Sequence, residues 1–168
     1  MLERKVLSNE LVKLIPMIKD DYEWVYAAAS DPDIWSQHPE TNRYTPVGFT
    51  KYFQKLMDTD IPYLIINTKT DEVIGATTFY QYDRIEKSIA IGYTFLAKEF
   101  WGGEFNKSIK SLLINYAFEK LDKIIFYVGA ENIRSQKALI KIGAVKEKEI
   151  VEAGSNKFIY AIYKDKLK

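Results

Sequence analysis

Two adjacent glycines, Gly102 and Gly103, stand where a predicted strand gives way to a predicted helix. Glycines at such a junction let backbone N–H groups approach a ligand closely, and a helix N-terminus attracts anions. A diphosphate suits this arrangement, although two glycines are also a common way to turn from strand to helix. The residues that follow, Glu104 to Ser108, fit neither the G-x-G-x-x-G nor the G-x-x-x-x-G-K-[ST] phosphate loop.

Residue types that are scarce or missing exclude other chemistry. Cysteine does not occur, which excludes disulfides, a thiolate nucleophile, iron–sulfur clusters and cysteine zinc sites. Histidine occurs once, as His38, so a multi-histidine metal site is impossible; only a carboxylate-bound magnesium ion stays open, and we expect no metal. The 24 basic and 23 acidic residues give a net charge of +1, whereas nucleic-acid binders usually have a basic excess. We therefore expect no nucleic-acid partner.

The chain length of 168 residues predicts a single domain, residues 1–168. No apolar run approaches the roughly 18 residues of a membrane-spanning helix, and the first residues lead into no signal core. We therefore expect a cytoplasmic protein with no membrane partner.

Hydrophobic periodicity predicts an α+β fold. Alternating or continuous apolar runs predict strands at residues 11–17, 61–67, 73–82, 88–96, 124–128, 144–151 and 157–163. Helical spacing predicts two helices after the first strand, one after Gly103, and one capped by Asn132 and ended by Gly143. The strand, helix and buried strand around the glycines suggest a right-handed parallel crossover. We expect a mixed, mainly antiparallel central sheet of about seven strands with flanking helices.

Four segments carry a family resemblance when they are taken together. They are residues 91–96 (IGYTFL), 101–107 (WGGEFNK), 132–135 (NIRS) and 141–144 (KIGA). As a set they resemble the GNAT superfamily of acetyltransferases, and most closely its Rim-type branch, named for enzymes that acetylate ribosomal-protein N-termini. The resemblance implies a GNAT-like acyl-CoA acyltransferase fold and acetyl-CoA as the acyl donor.

The resemblance also implies a role for individual residues. It assigns the pantetheine arm of acetyl-CoA to backbone groups of Phe95 and Leu96 and to Asn132. It assigns the phosphates to two groups, which are Gly102, Gly103, Phe105, Asn106 and Lys107 at the helix entrance and the basic stripe of Arg134, Lys137 and Lys141. Ser135 would lie near the thioester sulfur and protonate it as it departs, unless it only caps its helix. Independently of the resemblance, water relayed by Tyr93 or Tyr82 is a candidate path for the proton that the amine loses.

Three residues depart from the family pattern. Glu99 and Glu104 replace a Gln or Arg and a small residue, and a carboxylate beside a diphosphate repels it unless it faces solvent. Ala90 stands where many relatives carry a strand glutamate near the reacting amine. The pocket for the acceptor is expected in the first third of the chain, with Trp35 and His38 as candidates and His38 as a possible general base.

The acceptor is predicted from the residue at position 90, because Ala90 cannot act as the base that a glutamate there would supply. Without cysteine there is no cysteinyl acyl-enzyme, so a neutral amine attacks the thioester directly. An α-amine, with a pKa of about 7.7–8.0, loses its proton more easily than a lysine side chain at about 10.4. We expect a protein or peptide α-amine or a small amine as acceptor. A non-catalytic acyl-CoA-binding module, a polyamine or antibiotic acetyltransferase, and a homodimer through the edge of the final hairpin stay open.

Overall fold

The computed structural model describes residues 1–167 and contains one eight-stranded sheet with helices on both faces. The strands are β1 (Leu7–Ser8), β2 (Val12–Pro16), β3 (Ile61–Asn67), β4 (Val73–Asp83), β5 (Ser88–Leu96), β6 (Lys123–Gly129), β7 (Val145–Glu152) and β8 (Ser155–Tyr163). The helices are α1 (Tyr22–Ala29), α2 (Pro46–Met57), α3 (Glu104–Ala117) and α4 (Ile133–Lys141). The strand order is β1-β2-β3-β4-β5-β6-β8-β7, and only β5 and β6 pair in parallel. The predicted α+β class and mainly antiparallel sheet are confirmed.

Among the eight strands of residues 1–167, β1 is the one that the sequence pattern does not predict. Its two residues pair with Leu14 and Lys13 of β2. Alternation of apolar and polar residues needs at least four positions to show, so a two-residue strand leaves no periodic signal.

The hydrophobic core forms two layers, one on each face of the sheet. On one face, α3 and α4 bury residues such as Ile109, Leu113 and Leu139. On the other face, α1 and α2 bury residues such as Val25 and Phe49. Both faces of the central strands are therefore covered, which explains why β3 is buried along its length. Within residues 1–167, no helix is long and apolar enough to cross a membrane.

The parallel pair of β5 and β6 is short, and this opens the sheet. The two strands pair only through residues 88–90 and 123–125. Beyond Ala90, β5 stays paired with β4 but shifts register between the partners of Ala76 and Thr78. Tyr93 lies in this bulge with a φ of 51°, a conformation that non-glycine residues adopt only under local constraint. The second half of β5 therefore has no strand neighbour on its β6 side.

The two helices beside this opening begin and end at residues that suit their positions. Gly102 adopts a φ of +71° immediately before α3, a backbone conformation that favours glycine. Asn132 caps α4, since its side-chain oxygen accepts a hydrogen bond from the N–H of Ser135 at 3.2 Å. Gly143, with a φ of +91°, follows the end of α4. The predicted cap and terminating glycine of α4 are confirmed.

The outer edge of the sheet is β7, the strand through which a homodimer would pair. Its residues from Lys146 to Glu149 are all charged and exposed. Charged side chains on an edge strand oppose the addition of another strand. The homodimer stays a prediction.

Gly75 of β4 has no room for a side chain, because it lies against the backbone of β5. A Cβ at Gly75 would lie 2.1 Å from the carbonyl oxygen of Phe95, and that oxygen belongs to the backbone of β5. We expect Gly75→Ala to lower the free energy of unfolding by about 1–3 kcal/mol, because the strands must move apart. Urea denaturation measures this loss. Gly129→Ala is the matched control, since its Cβ would meet its nearest neighbour at 3.8 Å; equal losses for the two variants would contradict the prediction.

Candidate active site

A cleft lies where β5 has separated from β6. Its floor is the end of β5, and its walls are the first turn of α4 and the segment between α1 and α2. The residues that line it are Ile34, Trp35, His38, Thr94, Phe95, Leu96, Trp101, Asn132, Arg134 and Ser135. The structure thus brings together Phe95, Leu96, Asn132 and Ser135, which the family resemblance assigns to the pantetheine arm and the thioester.

The backbone of β5 offers alternate residues to the cleft. The N–H of Ala97 donates to the carbonyl of Ile74, so the next hydrogen-bonded pair of this antiparallel ladder is Phe95 with Ala76. The N–H and C=O groups of Thr94 and Leu96 therefore point away from β4, toward the cleft. The expected backbone role of Phe95 needs correction, because its N–H and C=O face β4. The backbone of Leu96 faces the cleft, and its role in binding the pantetheine arm stays a prediction.

Trp101 and Arg134 join the two walls of the cleft. The indole N–H of Trp101 donates to the carbonyl of Leu96 at 2.9 Å, which fixes the ring against the end of β5. The guanidinium of Arg134, at the start of α4, lies 3.8 Å from the centroid of the same ring. Such a cation–π contact contributes about 0.5–2 kcal/mol. In this conformation Arg134 is therefore directed at Trp101 rather than at a phosphate.

The N-terminus of α3 is built as an anion-binding end. The residue before the helix is Gly103, so no side chain caps the first N–H groups. A Cβ on Gly102 or on Gly103 would meet no atom within 4 Å, which leaves the space above the helix end open. A 14-residue helix carries a positive partial charge at this end. The structure thus fits a diphosphate at the predicted place.

The side chains around this helix end are arranged without blocking it. Glu99 and Glu104 are both exposed, as their carboxylates must be if the backbone is to receive an anion. Lys107 is exposed on the first turns of α3, and Lys137 and Lys141 are exposed on α4. Phe105 packs edge-on against Phe100 with ring centroids 4.8 Å apart, and Asn106 is half-buried. Phe105 and Asn106 are therefore placed to contribute N–H groups, and the lysines to contribute charge.

Ser135 lies on the wall of the cleft with its hydroxyl uncommitted. Asn132 forms the cap of α4, because its side-chain oxygen accepts a hydrogen bond from the N–H of Ser135. Within residues 1–167 the Ser135 hydroxyl has no hydrogen-bond partner, so it does not act as the helix cap. The structure therefore leaves this hydroxyl free to donate into the cleft.

Tyr93 lies on the opposite face of the opening, beside α2. Its carbonyl accepts a short hydrogen bond from the hydroxyl of Tyr52. Its ring packs edge-on against Tyr80, with centroids 5.1 Å apart, and Tyr80 in turn packs against Tyr127 of β6. A side chain at Gly92 would collide with the ring of Tyr80 at 2.8 Å, so Gly92 makes room for this cluster. Tyr93 is not among the cleft-lining residues, and its catalytic role stays a prediction.

His38 lines the cleft in its neutral form. Its Nδ1 accepts a hydrogen bond from the N–H of Glu40 at 3.1 Å, and its Nε2 lies 3.3 Å from a guanidinium nitrogen of Arg43. Burial, together with the positive charge of Arg43, lowers the pKa of His38 to about 3. A base with so low a pKa takes a proton from an amine poorly at neutral pH. The low pKa of His38 therefore argues against its predicted role as a general base.

Two buried cations at the site were missed by sequence reasoning. Arg43 is 5% exposed and lies over the ring of Tyr52, with its guanidinium carbon 4.7 Å from the centroid. Lys110 is 7% exposed and lies on the buried face of α3. Lys110 had a usable signal, since it occupies a helical position flanked by Ile109 and Leu113 where an apolar residue is expected. Arg43 lies outside the helices and strands and has no periodicity to reveal it.

An open strand end suited to an amide-rich arm lies beside a helix terminus suited to an anion. The acetyltransferase (GNAT) domain family matches residues 12–145. The chain therefore belongs to the GNAT acetyltransferase family. It is an acyltransferase, and acetyl-CoA is the acyl donor of this family.

Solved structures share this fold at low sequence identity. A GCN5-related N-acetyltransferase from Brucella melitensis has a TM-score of 0.84 and 18% identity, over 96% of this chain and 79% of that one. Mycobacterium smegmatis RimJ in complex with CoA-disulfide has a TM-score of 0.74 and 18% identity, over 97% and 88%. Ribosomal-protein-S5-alanine acetyltransferase from Vibrio fischeri has a TM-score of 0.71 and 16% identity, over 98% and 99%. The predicted resemblance to GNAT acetyltransferases is confirmed, and the structures that share the fold include Rim-type enzymes. No curated protein matches the sequence.

The neutral state of His38 makes stability depend on pH. The pKa of this histidine is about 3 in the folded protein and about 6.5 in the unfolded chain, so the unfolded chain binds more protons between these values. We expect the free energy of unfolding to fall on acidification through this window by up to about 1.4 kcal/mol per pH unit, and less so in His38→Gln. Urea denaturation at a series of pH values measures the difference.

His38 is the only histidine, which allows a direct check by NMR. Its imidazole signal should not titrate between pH 8 and pH 5, taking about 3 as its pKa. The pH profile of acetyl transfer should keep its shape in His38→Gln over the same neutral range. A titration near pH 6.5 would show that burial does not hold the ring neutral.

Proposed function

We propose that this enzyme transfers the acetyl group of acetyl-CoA to an α-amine of a protein or peptide, or to a small amine of similar basicity. One observation carries the proposal: the residues that line the cleft include no aspartate or glutamate. The single histidine among them is held neutral with a pKa of about 3. A site without a strong base depends on an acceptor that loses its proton unaided, and an α-amine does so near neutral pH.

The residues of the cleft suit the binding of the donor. The N–H of Leu96 faces the opening and would receive the pantetheine arm, while Asn132 offers its amide nitrogen beside it. The N–H groups at the start of α3, from Gly103 onward, would bind the pyrophosphate, and Lys107, Lys137 and Lys141 would add positive charge. Holding donor and acceptor together supplies much of the acceleration.

Two side chains are proposed for the proton transfers. The free hydroxyl of Ser135 lies on the cleft wall, where it would donate to the departing sulfur. Tyr93 belongs to the tyrosine cluster with Tyr80 and Tyr127 on the side of the opening where the acceptor would enter. A proton that leaves the amine would pass through water beside this cluster to solvent.

The acceptor does not follow from the solved structures, because identities of 16–18% carry the fold alone. The Vibrio fischeri structure is named as a ribosomal-protein-S5-alanine acetyltransferase, and that name agrees with a protein acceptor. The argument for an α-amine depends on the composition of the cleft. Family membership favours an enzyme over a non-catalytic acyl-CoA-binding module.

Donor binding can be tested by titration calorimetry with acetyl-CoA, CoA and dephospho-CoA. We expect micromolar affinity for acetyl-CoA, since the open helix end and the exposed lysines complement its charge. Lys137→Ala and Lys141→Ala together should weaken binding of CoA more than of dephospho-CoA. Lys51→Ala, which alters an exposed lysine on α2, is the control. Equal losses with both ligands would show that Lys137 and Lys141 do not act on the 3′-phosphate, the one group that dephospho-CoA lacks.

The acceptor can be tested with paired peptides. One peptide has a free N-terminus and no lysine, and its partner has an acetylated N-terminus and one lysine. We expect the first to be acetylated at least tenfold faster at pH 7.5, because about a third of an α-amine with a pKa near 7.8 is neutral there, against about a thousandth of a lysine side chain. Mass spectrometry locates the acetyl group. Faster acetylation of lysine or of a polyamine would overturn the proposed acceptor.

A further inference from the structure

Lys110 is a buried cation with no anionic partner. Its side chain is on the face of α3 that packs against the sheet, and it is 7% exposed. No carboxylate within residues 1–167 lies within ion-pair distance of it. Buried lysines are normally paired, because an isolated charge loses its hydration without compensation. The proposed function as described above gives this residue no role.

The position of Lys110 relates it to the opening of the sheet. Its ammonium nitrogen lies 3.2 Å from the hydroxyl of Thr94 on β5 and 5.8 Å from the ring centroid of Phe126 on β6. These two residues belong to the two strands that have separated, so the ammonium lies behind the split between them. Thr94 also lines the cleft. Lys110 is thus connected to the cleft through one hydroxyl group.

The hydrogen bonds around Thr94 fix the direction of this connection. The ammonium can only donate, so the Thr94 oxygen accepts from Lys110. The same hydroxyl is 2.8 Å from the hydroxyl of Thr77, its cross-strand neighbour on β4, which is completely buried. Thr94 therefore holds the ammonium at a fixed place behind the bulge.

We propose that Lys110 is a positioning residue for acetyl transfer, whose ammonium, held by Thr94, stabilises the negative charge that develops in the cleft as the thioester is cleaved. This inference rests on the proposed function and names a further residue of the same site. In the free protein the charge of Lys110 is uncompensated. An anion that forms on the other side of the split supplies the missing partner, and the attraction is strong because the surroundings are apolar.

The chemistry balances without consuming Lys110. The acceptor nitrogen forms a bond to the acetyl carbonyl carbon, and the bond from that carbon to sulfur breaks. The electron pair of the broken bond leaves with the sulfur, and the proton that the amine loses equals the one that the sulfur finally gains. Negative charge resides first on the carbonyl oxygen and then on the sulfur. Both atoms react in the cleft that Thr94 lines, and Lys110 stays protonated throughout.

In the free protein the pKa of Lys110 reflects its burial without a charged partner. Burial lowers the pKa of Lys110 to about 8, and no charged group contributes to that shift. The side chains that meet its ammonium from β5 and β6 are Thr94 and Phe126, neither of which titrates. An anion in the cleft should raise this pKa again, whereas a purely structural lysine would not respond.

The first test measures the thiol of bound CoA. Ultraviolet absorbance of the thiolate gives its pKa in complexes with the wild type, Lys110→Met, Lys110→Arg and Thr94→Val. We expect the thiol pKa to be lower in the wild type than in Lys110→Met by about 1 unit or more, as a nearby opposite charge requires. Lys110→Arg should retain most of this shift, and Thr94→Val should lose part of it. Equal values in the wild type and Lys110→Met would overturn the proposal.

The second test uses the wild type alone, so it does not depend on whether a variant folds. NMR of isotope-labelled lysine side chains follows Lys110 as pH is raised, with and without CoA. We expect the pKa of Lys110 to increase when the thiolate of CoA is bound. An unchanged pKa in the CoA complex would overturn the proposal.

Activity provides a third measurement with a matched control. Lys110→Met should lower kcat by about tenfold to a hundredfold with little change in KM for acetyl-CoA, since Lys110 acts through Thr94 rather than by direct contact. Lys148→Met, on an exposed position of β7, should leave kcat unchanged. Lys110→Met should also raise the melting temperature at pH 7, because it removes a buried charge, and the gain should shrink above pH 8 as the wild-type lysine becomes neutral. An unchanged kcat would overturn the proposal.

These outcomes separate the two proposals. If α-amines are not acetylated but the CoA thiol pKa depends on Lys110, the proposed acceptor fails and the role of Lys110 stands. If α-amines are acetylated equally well by the wild type and Lys110→Met, the role of Lys110 fails and the proposed function stands. Failure of the wild type to bind CoA would overturn both.

Discussion

The separation of β5 from β6 after a few paired residues is the constraint on which the rest of the site depends. Within residues 1–167, backbone groups at the end of β5 lack a strand partner on that side, and unpaired backbone groups in a sheet are costly unless a side chain, water or a ligand satisfies them. The bulge at Tyr93 keeps β5 bonded to β4 while it turns away from β6. The hydrogen bond from Tyr52 to the carbonyl of Tyr93 holds this strained residue in place. A ligand that brings its own amides can therefore complete the sheet.

The site combines this open strand with a helix end that lacks a cap. At α4 the chain uses Asn132 to satisfy the first N–H groups, whereas at α3 the corresponding residue is Gly103, which has no side chain to offer. Both helices begin beside the cleft, yet only one keeps its N–H groups free. The difference between the two caps thus distinguishes a helix that forms the wall from a helix that receives an anion.

The sequence predicts the fold well where hydrophobic periodicity and the capping or terminating residues indicate the same element boundary. The strands that match the pattern, the cap at Asn132, the glycine after α4 and the glycines before α3 are local signals, and the structure contains each of them. Pairing is not local: the phase of the β5 ladder decides that Leu96 rather than Phe95 offers its backbone to the cleft, and composition says nothing about that phase. The neutrality of His38 likewise depends on Arg43 and on burial, which only the tertiary structure brings together.

The electrostatics of the cleft follow from what lines it and what lies behind it. Its lining has no carboxylate, its histidine is neutral, and the cations Arg43 and Lys110 are buried near it without carboxylate partners within residues 1–167. Such a lining offers no base that would take a proton from a strongly basic amine, and its positive charge disfavours binding of the ammonium form. The same environment favours an anionic donor and a leaving thiolate. Burying these cations without partners is unfavourable in the free protein, and negative charge that enters or forms in the cleft offsets that cost. Donor binding and bond cleavage therefore depend on the same groups.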